Sequence, residues 1–249
     1  MWYPFHIAIC RRKLTGREGE RMQERMDIHL AAAYVRGMAE QEKIPVDEAL
    51  LKAPLDMLLD AEKEALVNAG KAAGLKMYRF KRHDELPRVK AVLGFLQGIW
   101  PESLLDVGSG RGVFLFPFLD AFPNTQVTSV DLLPHRVALL NALRLGGVER
   151  LQALQQDICK WDIKDKSFDV VTMLEVLEHI PDVEKAVQAA VRLAKRYVVV
   201  SVPSKPDDNP EHIHLLTKDV LTGLFRRAGC MRLHFGGVNG HLIMTACLE

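Results

Sequence analysis

Leu104-Leu105-Asp106-Val107-Gly108-Ser109-Gly110-Arg111-Gly112, together with the apolar run that ends in Asp131, is the stretch that decides the fold. It reads as a buried strand, a glycine turn, a helix beginning near Val113, and a second strand ending in a carboxylate, which is the frame of a nucleoside-cofactor site. Glycines at alternate positions let the chain turn sharply and let a ligand lie against bare backbone. The helix start aims free N–H groups at that turn. Asp131, about twenty residues on, stands where a carboxylate accepts hydrogen bonds from both hydroxyls of a ribose. The ligand this frame predicts is of the adenosine type.

The glycine spacing separates two versions of the frame. A dinucleotide turn is G-x-G-x-x-G, with a pyrophosphate on the helix N-terminus. Here it is Asp106-x-Gly108-x-Gly110-x-Gly112, which resembles the first motif of the class I S-adenosylmethionine-dependent methyltransferases. Later segments agree in order: Val127-Thr128-Ser129-Val130-Asp131 looks like that family's second strand, Gln156-Asp157-Ile158 like its third-strand end, and Phe168-Asp169-Val170-Val171-Thr172-Met173 like its fourth strand. The resemblance spans roughly residues 88 to 249. It implies S-adenosyl-L-methionine as cofactor, with Asp106, Gly108, Gly110 and Gly112 receiving the methionine part. Asp131 would hold the ribose and Asp157 the adenine amino group, and Leu132, Ile158 and Met173 complete the implied cofactor-binding set. Taken singly, each residue has a plainer use: Asp131 as a cap for a helix near Pro134, Asp157 as a solvated strand end. The ordered conjunction favours the cofactor.

From Val89 onward, helices alternate with strands near 104–107, 126–131, 151–157, 168–174, 197–202, 231–235 and 241–247. Parallel neighbours need crossover helices, so this predicts a Rossmann-like α/β fold with a seven-stranded, mostly parallel sheet. Gly236-Gly237-Val238-Asn239-Gly240 is only hairpin-long, so the last strand runs antiparallel. Between about Arg17 and Gly74 there is no strand alternation. Met22, Met26, His29, Leu30 and Ala33 recur at helical spacing. A second helix is expected from Pro45-Val46-Asp47-Glu48, with Leu50, Leu51, Leu55, Leu58 and Leu59 as its buried stripe. The expected organisation is an N-terminal helical module over 1–87, serving as lid, substrate or dimer element, and a methyltransferase domain over 88–249. Residues 79–90 read as a charged, solvated connection.

At 249 residues, 48% hydrophobic and 26% charged, the composition is that of a globular protein. A net charge of +1 argues against binding extended nucleic acid by bulk electrostatics, though not against reading one RNA end. Cys10, Cys159, Cys230 and Cys247 are scattered without a C-x-x-C step, so neither a zinc site nor a disulfide framework is expected. Met1 to Cys10 is apolar but precedes Arg11-Arg12-Lys13, the wrong order for a secretory signal. No segment reaches membrane length. A soluble, cytoplasmic protein is expected.

After the fourth strand comes Glu175-Val176-Leu177-Glu178-His179. No N-P-P-Y-like tetrapeptide stands here, which disfavours transfer to nucleobase amino groups. If 175–179 is a helical turn, Glu175, Glu178 and His179 share one face and can bind a divalent metal or serve as general base. The step is similar to one in the ubiquinone-pathway O-methyltransferases and in the small-RNA 3′-terminal 2′-O-methyltransferases. In the RNA enzymes these three side chains and a later histidine hold a metal. That resemblance implies Mg²⁺ or Mn²⁺ on Glu175, Glu178, His179 and a histidine of Glu211-His212-Ile213-His214, with His214 favoured slightly over His212. Without metal, His179 is the candidate base, since its ordinary pKa lies near working pH. Glu175 is the second candidate catalytic group. The expected function is methyl transfer to oxygen of a small molecule; the alternatives are metal-assisted 2′-O-methylation of an RNA 3′ end and a non-catalytic cofactor-binding regulator. A homodimer through the N-terminal helices is a further expectation.

Overall fold

The computed structural model describes residues 26–248. The readings that concern Met1 to Cys10, Arg11-Arg12-Lys13 and Met22 lie outside the described residues. The seven strands are β1 (Ser103–Val107), β2 (Gln126–Asp131), β3 (Leu151–Gln155), β4 (Phe168–Leu174), β5 (Ala194–Pro203), β6 (Arg232–Val238) and β7 (His241–Cys247). They lie in the order β3-β2-β1-β4-β5-β7-β6. β7 is antiparallel to both its neighbours, so one strand runs against the rest, as the short glycine link predicts. It does not form the edge, however. The hairpin folds back so that β7 slots between β5 and β6.

β1 is flanked by β2 on one side and β4 on the other. The chain direction across the sheet reverses there, and a crevice opens at the carboxyl ends of the two strands. Near-continuous apolar runs bury the middle of β1 and β4: Leu104, Leu105, Val170, Val171 and Met173 are all inaccessible. The crossover helices α5 (Leu115–Ala121), α6 (Pro134–Leu145) and α7 (Val183–Leu193) cover the sheet. α8 (Lys218–Arg227) begins at Thr217, whose side chain accepts from Val220 N.

The N-terminal segment folds as α1 (Ile28–Met38), α2 (Glu48–Lys52) and α3 (Asp60–Ala72), and α4 (Pro87–Gln97) follows it as the first helix of the 88–249 region. The expected second helix is broken in two, because Pro54 lacks an N–H and forces Ala53 into an extended conformation. Leu55 and Leu58 are buried but Leu59 is exposed, so the leucine stripe is not continuous. α1 presents Ala31, Ala32 and Ala33, all fully buried, and packs tightly on α6. A Cβ on Gly37 would overlap the carbonyl oxygen of Ala142, and one on Gly146 would overlap that of Ala33. Only glycine allows the two backbones to approach so closely. Arg36 then donates to the carbonyls of Leu51 and Ala53 at 2.6 and 2.8 Å.

The module is therefore a further layer on one face of the sheet, sharing a core with Phe114, Phe118 and Leu143. The charged connection is packed as well: Phe80 is fully buried and Arg82 bonds Asp120 at 2.7 Å. No helix among the described residues is long and apolar enough to cross a membrane.

Candidate active site

A cavity of about 830 Å³ occupies the crevice. Its floor is the glycine turn. Gly108, Gly110 and Gly112 all have φ between 59° and 76°, a left-handed region in which a side chain is strained. At Gly108 a Cβ would also press on Val176 at 2.7 Å. Asp106, Gly108, Gly110, Asp131, Leu132, Asp157 and Ile158 line the cavity. Two expected cofactor residues do not. Met173 is fully buried inside the sheet, and the next residue, Leu174, reaches the cavity in its place. Gly112 faces Phe116, whose ring fills the room a side chain would need.

Asp106 is buried beneath the turn, where β1–β4 and β1–β2 register sets it beside Thr172 and Ser129. Thr172 Oγ1 and Ser109 Oγ each donate to its carboxylate at 2.6 Å. Burial still dominates, and with Asp131 nearby pushes the carboxyl up to about 6 against those two hydroxyl bonds. Asp131 accepts from Leu133 N at 2.9 Å and lies 3.3 Å from Arg136. Asp157 caps the short turn Ile158–Lys160 through Cys159 N. Neither aspartate takes its plainer use: Leu133 is the N-cap of α6 and has no side-chain cap, and Asp157 caps a turn where a free solvated strand end was the alternative, while both face the cavity. Arg88, from α4, and Arg111 also line it. Arg88 was legible only as part of a charged run, because nothing local shows that α4 carries it to the crevice.

The single-face arrangement expected of Glu175, Glu178 and His179 does not form. Glu175 has φ +56°, so the helical turn begins only at Leu177 and Glu175 points elsewhere. Its two carboxylate oxygens take Ser201 Oγ at 2.6 Å and His241 Nδ1 at 3.0 Å, and it lines the cavity wall with Ser201. Glu178 and His179 meet His212 instead, with one ligand atom from each within 4.8 Å of the others. His214 is turned away, its Nε2 3.0 Å from the Ile180 carbonyl. The slight preference for His214 is therefore corrected to His212, because two-residue spacing in an irregular loop does not reveal which ring turns toward Glu178.

Within that group, Glu178 is 1% exposed, and neither carboxylate oxygen has a hydrogen-bond partner among the described residues. Burial, followed by repulsion from Glu175 and Asp207, pushes it up to about 7, with only its own backbone N–H opposing. His179 Nδ1 lies 2.9 Å from the Glu211 carbonyl, which makes Nδ1 the donor and leaves Nε2 with its lone pair. His212 Nδ1 lies 2.8 Å from Asp207, with the same consequence. Two imidazoles and a buried carboxylate with no hydrogen-bond partner among the described residues form a donor set suited to a cation. These residues fit a divalent metal.

Residues 105–200 match the sequence profile of a family described as "Methyltransferase domain". Over that span the chain is similar to the class I S-adenosylmethionine-dependent methyltransferases. Among relatives of this domain, a "Ubiquinone biosynthesis O-methyltransferase" of Idiomarina loihiensis is 37% identical over 109 residues, 41% of this chain and 44% of that protein. One of Paracidovorax citrulli is 35% identical over 114 residues, again 41% and 44%. The match thus spans less than half the length of either relative. The methyltransferase fold recurs in a "SAM dependent methyltransferase from Aquifex aeolicus" (TM-score 0.53, 20% identity, 67% of this chain and 93% of that one). It recurs also in Haemonchus contortus phosphoethanolamine N-methyltransferase 2 in complex with S-adenosyl-L-methionine (TM-score 0.56, 15% identity, 68% and 54%).

Proposed function

We propose that this protein transfers the methyl group of S-adenosylmethionine to a hydroxyl oxygen of a small molecule, with a divalent cation held by Glu178, His179 and His212. The observation that carries the reading is the buried, unpartnered Glu178 carboxylate between two imidazoles, with His179 on the cavity wall. A mixed imidazole and carboxylate set suits Mn²⁺ better than Mg²⁺. Bound there, the cation would lower the pKa of a hydroxyl beside it. Three protein ligands would leave room for acceptor oxygens.

The chain's own groups supply the rest. Asp131 holds the ribose hydroxyls, and the backbone of the glycine turn receives the methionine part. The transfer is a displacement: the acceptor oxygen bonds to the methyl carbon, the carbon–sulfur bond breaks, and S-adenosylhomocysteine is released. Alignment of the two reactants and exclusion of water provide much of the acceleration. Glu175, fixed on the wall by Ser201 and His241, is the group that receives the hydroxyl proton. The carboxylate keeps free lone pairs after accepting those two bonds.

The test has three parts. Calorimetry should show S-adenosylhomocysteine bound in preference to NAD. Methyl transfer to 3,4-dihydroxybenzoate, a catechol probe, should rise with Mn²⁺ and fall on chelation. Transfer instead to a short RNA with free 2′ and 3′ terminal hydroxyls would move the acceptor to RNA. Cofactor binding without transfer to either would leave a regulator.

A further inference from the structure

The loop that follows β5 presents His212 in a way the ligand set alone does not explain. Asp207 Oδ1 accepts His212 Nδ1 at 2.8 Å and also accepts Asn209 N at 3.0 Å. The carboxylate is thereby fixed by the loop's own backbone before it meets the imidazole. Asn209 continues the scaffold: its side chain accepts from Glu211 N at 3.0 Å, and its carbonyl accepts from His212 N at 3.0 Å. Ile213 N then bonds the carbonyl of Glu178 at 3.0 Å, seating the loop on the segment that carries the other two ligands. His212 is packed edge-on against His179, with ring centroids 4.8 Å apart. Asp207 is also close enough to Glu178 to disfavour its ionisation.

We infer that Asp207 is a positioning residue of the cation site: it fixes the tautomer and orientation of His212 so that Nε2 faces Glu178 and His179. This rests on the proposed cation reading. A carboxylate that takes the far ring N–H of a ligating histidine orients the ring and raises its basicity, and its removal commonly lowers metal affinity 10- to 100-fold. The side chain is partly exposed and lies on a surface loop, so its loss should leave the cofactor cleft intact.

The test titrates the full chain with Mn²⁺ alone, following free Mn²⁺ by electron paramagnetic resonance, with S-adenosylhomocysteine affinity measured in parallel as a check on the fold. Asp207→Ala should weaken Mn²⁺ by about 10- to 100-fold and leave S-adenosylhomocysteine binding unchanged. Asp207→Asn, whose side-chain oxygen can still accept from His212, should recover most of the loss. Asp208→Ala, a charge change at the exposed neighbour, should match the parent. If Asp207→Asn is as weak as Asp207→Ala, the residue acts through its charge and the positioning role is overturned. The role is likewise overturned if Asp207→Ala binds like the parent while His212→Ala does not. Failure of the parent itself to bind Mn²⁺, or full affinity in His212→Ala, would bring down the cation reading along with it.

Discussion

At the scale of single residues, the site is governed by carboxylates whose surroundings differ. Asp106 is buried and held by two hydroxyls, yet its pKa rises from 3.8 to about 6. A raised carboxyl destabilises the fold wherever it is ionised: the penalty is fully present above pH 6, shrinks as pH falls, and is gone below the unfolded value. The two values correspond to about 3 kcal/mol. Urea unfolding of cofactor-free protein should therefore show Asp106→Asn gaining stability relative to the parent at pH 7.5, with most of that gain lost at pH 4.5. A gain independent of pH would mean that Asp106 is neutral throughout. The proposed ribose contact of Asp131 is tested separately. Asp131→Ala should weaken S-adenosylhomocysteine by about 1.5–3 kcal/mol, the range for a hydrogen bond lost at a charged group, as read by calorimetry.

At the scale of elements, backbone conformation decides what sequence spacing cannot. The positions of the strands along the chain and of the glycine turn were legible because apolar periodicity and glycine placement are local signals; the order of the strands in the sheet is set by long-range pairing. The face shared by Glu175, Glu178 and His179 was not, because it presumes helical φ at Glu175. That residue instead takes a left-handed conformation, held by Ser201 and His241, which come from strands far along the chain. Met173 failed for a related reason: alternation at the end of β4 turns Met173 into the core and leaves Leu174 for the cavity. The intimate α1–α6 contact also left little trace, since nothing local to Gly37 or Gly146 shows which backbone each would meet. Gly146→Ala should destabilise the protein by about 2–3 kcal/mol through overpacking. Gly94→Ala, in α4 with open space around it, should stabilise it by about 0.5–1 kcal/mol through helix propensity. Denaturant unfolding distinguishes the two signs, and a neutral Gly146→Ala would show that the helices can separate at little cost.

At the scale of the whole molecule, the N-terminal layer and the sheet share one core, which changes what the layer is for. No described residue before Arg88 lines the cavity, so the described part of the segment does not act as a lid by direct contact. Its helix α1 packs on α6, Arg82 reaches Asp120 of α5, and Phe80 stacks on Phe116 at 5.6 Å between ring centroids. Phe116 is in turn the ring that occupies the space beside Gly112. A chain of packed rings thus runs from the N-terminal layer to the glycine turn, and removing the layer should loosen the turn as well as expose the outer face of α6. A chain beginning at residue 82 should accordingly bind the dye ANS, unfold without a sharp transition, and lose most of its S-adenosylhomocysteine affinity even though no lining residue has been removed. Phe80→Ala in the full chain isolates the packing route. It should cost about 3–5 kcal/mol of stability and weaken S-adenosylhomocysteine while Asp131 remains in place. If the shortened chain folds cooperatively and binds S-adenosylhomocysteine with the affinity of the parent, the layer is an independent module and the shared core contributes nothing to the site.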